Sequence, residues 1–178
     1  LEVVAGLNIC NTLNNVFNIA FIAMGNAVAI IVGQMLGAGK MEEARDTDTK
    51  LIFFSTSMCV GIGAVLALAA PLFPQFYNTT PVVQQLATRF LWVMAYMMPF
   101  CSFTNASYFT LRSGGKTGIT FVFDSVFMWC IEVPIIWSLS RFTAMPILSL
   151  YVSCQCVQFI KCIVGFILVK KRVWLQNI

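Results

Sequence analysis

Apolar residues along this chain do not alternate with polar ones. They run in five long blocks, near residues 3–36, 51–77, 90–110, 119–140 and 146–169, and the stretches between them hold most of the charge. Each block is close to the ~20 residues an α-helix needs to cross ~30 Å of hydrocarbon. The pattern predicts an all-α integral membrane protein with five transmembrane helices. Composition agrees, because 59% hydrophobic residues, 10% charged residues and a mean hydropathy of +0.84 are far beyond what a soluble core absorbs. The chain starts at Leu1 inside an apolar block, so it is expected to be a piece of a longer protein.

Within the blocks the polar positions are patterned. At about 100° per residue, Asn8, Asn11, Asn15, Asn18, Gly25, Asn26, Ala29 and Gly33 share roughly a third of the first helix's circumference. The small residues suit close helix approach, and the amides serve either interhelical hydrogen bonding or a cavity lining. Gly37 to Lys50 is the one densely charged stretch and reads as a solvated loop with a short amphipathic helix. Pro99 in the third block frees backbone groups that neighbours must satisfy, with Asn105 among the polar residues that follow. The fifth block carries Tyr151, Gln155, Gln158, Cys162 and Gly165 at helical spacing, flanked by Lys161.

Charge then orients the chain. Lys40, Arg45, Lys50, Arg112, Lys116, Lys170, Lys171 and Arg172 fall at one set of helix ends, and only Arg89 and Arg141 at the other. The basic side is expected to be cytoplasmic, so the first residue starts outside and the C-terminus lies inside a multi-pass cell membrane protein. The net charge of +4 is a consequence of topology and calls for no nucleic-acid partner.

Several chemistries are excluded. Without histidine and without a CxxC pair the usual zinc sets do not form, and all seven cysteines lie in apolar blocks where a thiol acts as a small hydrophobe. Gly114-Gly115-Lys116-Thr117 lacks the earlier glycine of a phosphate loop, since Thr110 stands there. There is no histidine base, no GxSxG elbow and no loop carboxylate pair, so an enzyme is not expected and no cofactor is called for.

Two carboxylates remain inside the fourth block. Asp124 and Lys161 lie at similar depth from their cytoplasmic ends and form a candidate ion pair. Glu132 is deeper, with no basic residue at its level. It is either a proton carrier or a neutral acid hydrogen-bonded to a neighbouring helix.

Val32-Gly33-Gln34-Met35-Leu36-Gly37-Ala38-Gly39-Lys40 and Leu111-Arg112-Ser113-Gly114-Gly115-Lys116-Thr117 resemble the two cytoplasmic signatures of the multidrug and toxic compound extrusion (MATE) family. The resemblance implies five helices of a six-helix bundle, the C-terminal half of a transporter, with the N-terminal bundle of the same polypeptide as its partner. It implies antiport of small amphipathic or cationic compounds against Na+ or H+ as coupling ion, in contact with membrane lipid. Glu132 and Asp124 are the candidate coupling residues, and Asn11, Asn15, Asn18, Asn105 and Gln158 the candidate cavity lining. The alternatives are a lipid-linked oligosaccharide flippase of the same superfamily and a non-transporting membrane-assembly subunit.

Overall fold

A computed structural model describes residues 2–77, 79–142 and 146–175; Leu1, the expected outer start of the first span, lies outside them. The described residues form helices and no strand: α1 (Glu2–Gly37), α2 (Met41–Ala69), α3 (Pro81–Ser113), α4 (Thr117–Phe142) and α5 (Ile147–Lys170). All five are long and apolar enough to cross a membrane. The expected all-α membrane architecture is therefore present.

The second helix differs most from its expected bounds. It begins at Met41, so the short amphipathic helix expected in the charged stretch is the continuous start of the span and the loop shrinks to residues 38–40. The cause is the preceding turn: Gly39 adopts φ +74°, its N–H bonds the Leu36 carbonyl at 3.0 Å, and the Lys40 N–H bonds that of Met35 at 3.0 Å. This double closure is a Schellman cap, and only glycine takes the left-handed position without strain. Lys40 with Glu43, Arg45 with Glu42, and Lys50 with Asp46 then pair along the exposed side of the first turns of α2. At its far end α2 stops at Ala69, because Pro71 has no N–H to give the Ala67 carbonyl. Trp92 of α3 supplies the missing donor, its Nε1 lying 3.1 Å from that oxygen.

The bundle is built round α3. Helices α1 and α5 run parallel to it, with Cys10 beside Met94, the Tyr151 ring tilted against Phe90 at 4.8 Å and the Phe159 ring edge-on to Phe100 at 4.5 Å. Helix α2 runs antiparallel to it, held by the buried Ser55–Ser102 hydroxyl pair at 2.9 Å. Pro99 deprives the Ala95 carbonyl of its in-helix donor, and Gly63 of α2 packs directly on that oxygen, where a side chain would not fit. Of the small residues expected to admit a neighbour on α1, Gly25 does so, lying against Phe109 and Asn105. Gly33 faces open space, because the buried column of α1 runs instead through Phe21, Val28, Val32 and Leu36.

Helix α4 is irregular in a way periodicity does not foretell. Two π-helical stretches, Val122–Val126 and Met128–Glu132, interrupt it. The second lies just before Pro134, whose ring clashes with the carbonyl four residues back and whose nitrogen cannot bond it. Each stretch contains one of the two carboxylates, and wide turns of this kind are frequent at functional sites.

At the basic end a second glycine turn shares one closure with the first. Gly115 takes φ +71° and its N–H bonds the Arg112 carbonyl at 3.1 Å, while the neighbouring Gly114 packs against the backbone of Trp174. Arg172 closes α5 in the same left-handed conformation at φ +56°, and Trp174 tucks in, buried.

Candidate transport cavity

Helices α1, α3, α4 and α5 line a half-open cavity of about 470 Å³ whose polar wall comes from four directions. Asn14 and Asn18 project from α1, Asn105 from α3, Asp124 from α4, and Gln155, Gln158 and Lys161 from α5. Met94, Met97, Met98 and Phe21 supply the apolar remainder. Unbranched methionine adapts its shape, so such a wall accepts ligands of varied outline.

Asp124 and Lys161 meet across α4 and α5, with Nζ 2.5 Å from Oδ1. Their exposures differ: the lysine side chain is 13% accessible and the aspartate 55%. The ammonium also sits 5.4 Å above the Phe123 ring. A visiting group therefore meets the carboxylate first, with its counter-ion held behind it.

Glu132 is not isolated. Gln158 Nε2 donates to its Oε1 at 3.2 Å. The neighbouring level of α5 offers a neutral amide where a basic residue was sought, and an amide donor is enough to hold a carboxyl inside a bundle. Glu132 does not itself line the cavity and adjoins it through Gln158. One turn further along α5, Gln155 donates to the Tyr151 hydroxyl at 3.3 Å.

Two expected lining residues are elsewhere. Asn11 and Asn15 are exposed on α1 and do not line this cavity, whereas Asn14 does. The packing column through Cys10, Phe21 and Val28 sits against α3, which turns only the near edge of the amide face inward. Asn105 lines the cavity while its Oδ1, buried, has no hydrogen-bond partner among the described residues. That oxygen packs against Gly25 of α1, so the amide is held at the helix contact. In the first signature Gln34, Gly37 and Gly39 are exposed, and in the second Arg112 and Thr117 are exposed too, so the motifs shape turns and do not line the cavity.

A further carboxylate escaped sequence reading. Asp48 is 1% exposed and accepts from Thr110 Oγ1 at 2.6 Å. Its signal was periodicity, since Ala44, Asp48, Ile52, Ser55 and Cys59 form the buried column of α2.

Five membrane-length helices, four of them lining a polar cavity that holds an ion pair, are the architecture of a polytopic membrane protein. The MatE family model matches residues 2–138, and the chain belongs to that family, whose members are transporters rather than enzymes. Helix α5, which supplies Gln158 and Lys161, lies beyond the matched residues. No solved structure matches the chain.

Proposed function

We propose that the protein is a secondary active efflux transporter that exchanges amphipathic, often cationic compounds for sodium ions or protons across the cell membrane. The observation that carries this reading is the pairing of the two carboxylates of α4 with α5 at and beside one cavity: Asp124 with Lys161 at its wall, and Glu132 with Gln158 adjoining it. Acids inside a membrane bundle cost several kcal/mol to maintain and mark ion or substrate pathways. Glu132 and Asp124 carry the coupling, and Asn18, Asn105 and Gln158 contact the substrate. The chain acts as the second bundle of its polypeptide, and the exposed Asn11 and Asn15 face the N-terminal bundle across the central passage. The basic helix ends lie in the cytoplasm, following the positive-inside rule.

An oligosaccharide-diphosphate flippase would want uncompensated cations in the cavity. Lys161, the cavity's cation, is matched by Asp124 and is not free to take a diphosphate.

The test is ethidium efflux from cells expressing the complete polypeptide, with the proton or sodium gradient collapsed in turn. Efflux is expected to stop with one of them. Glu132→Gln keeps an acceptor for Gln158 while removing the charge, and is expected to slow efflux at least tenfold. Efflux indifferent to both gradients would overturn the proposal.

A further inference from the structure

A second groove opens at the basic end of the bundle, between α2 and α5, and shares no residue with the polar cavity. Its volume is about 670 Å³, and Arg45, Lys170 and Arg172 stand at its mouth. Inward, the walls turn apolar and aromatic, with Phe53 from α2, Phe103 from α3 and Phe166 from α5. A further space of about 390 Å³ shares Thr56, Phe103 and Phe166 with it and continues past Pro99, Phe100 and Ile163. The path from Arg45 to Thr56 along α2 is about 16 Å at ~1.5 Å per residue, and its last ~9 Å, beyond Lys50, lies in the apolar part of the helix.

The charges at the mouth are unequal. Arg45 shares its charge with Glu42 at 3.4 Å, and Asp48, buried inside the rim, is occupied by Thr110. Lys170 and Arg172 have no carboxylate partner among the described residues, and the Lys170 ammonium sits 5.7 Å over the Phe166 ring. A soluble anion would use the two cations and leave the aromatic channel empty. A packed helix would cover the channel and leave the cations unmatched.

We propose that this groove binds one anionic phospholipid, its headgroup phosphate against Lys170 and Arg172 and one acyl chain along the channel of Phe53, Phe103 and Phe166. Basic pockets between membrane helices on the positive side are a recurrent mode of headgroup recognition. The site is separate from the transport cavity, so the lipid is a resident of the bundle and not a substrate.

The experiment uses the complete polypeptide, purified from bilayers of equal parts phosphatidylglycerol and phosphatidylcholine, with retained lipid counted by native mass spectrometry. One phosphatidylglycerol is expected to survive delipidation preferentially. Lys170→Gln with Arg172→Asn, where asparagine tolerates the left-handed conformation, removes two charges worth about fivefold each and is expected to weaken retention roughly 30-fold. Thr56→Trp plugs the channel without touching the cations and is expected to abolish the retained lipid. Lys40→Gln with Lys50→Gln, the same change of net charge outside the groove, is expected to leave retention intact. Equal loss in that control, no headgroup preference in the parent, or unaltered retention in Thr56→Trp would overturn the proposal.

Discussion

The ion pair between α4 and α5 makes a prediction about which half of it the bundle depends on. Removing Asp124 as Asp124→Asn leaves an ammonium whose side chain is 13% exposed, whereas removing Lys161 as Lys161→Met leaves a carboxylate that is 55% exposed and can take up water. Breaking a buried pair by deleting one partner costs about 3–5 kcal/mol, and an exposed pair is worth at most about 1 kcal/mol. Asp124→Asn is therefore expected near 3 kcal/mol, at the lower end because its partner is not wholly buried, and Lys161→Met near 1 kcal/mol. The double variant leaves no stranded charge and is expected near 1 kcal/mol, a coupling of about 3 kcal/mol. Thermal unfolding in detergent, followed by fluorescence, reads these as melting shifts, at roughly 2–4 °C per kcal/mol for a domain of this size. Lys161→Met as harmful as Asp124→Asn, or a double variant that costs the sum of the singles, would refute the reasoning.

Three other expectations follow from close packing and backbone geometry. Gly114→Ala places a methyl group into the backbone of Trp174 and is expected to cost about 1–3 kcal/mol, with Trp174 becoming accessible to an aqueous quencher once the other tryptophans are replaced by phenylalanine. Thr110→Val removes the donor to buried Asp48 and is expected to destabilise by about 1–3 kcal/mol, while Thr110→Val with Asp48→Leu, which removes both polar partners, is expected to recover much of that loss in the same melting assay. Arg172→Gly relieves a left-handed conformation in a residue with a side chain, and a melting point raised by the equivalent of about 0.5–1 kcal/mol is the expected reading.

What the sequence revealed depended on which physical signal each residue carried. The five helices follow from apolar blocks alone, and Asp124 met Lys161 because an α-helical rise gives both the same depth. The same count puts Gln158 about 18 Å from the basic end of α5, level with Glu132, but a search for opposite charge passes over an amide. Asp48 was hidden by its charged neighbours, whose pairs along the exposed side of α2 look like a solvated loop when the helix is not yet known. Asn14 was missed because an ideal wheel groups the amides by their own direction, whereas the inward direction is set by which apolar column packs on α3. The wide turns of α4 had no sequence sign beyond Pro134.

The three-residue connections between α1 and α2 and between α3 and α4 leave those helices no slack at the basic end. Two rods joined so closely cannot slide past one another; they can only spread, like the legs of dividers, from the joint. The connection from α2 to α3 spans residues 70–80, so the opposite end is held by packing, with Trp92 on the Ala67 carbonyl, and not by a tight joint. Spin labels placed in pairs are expected to show widening distance distributions toward that end and nearly fixed distances beside Gly39 and Gly115. Inserted tags should be tolerated between α2 and α3 and rejected at the two glycine joints.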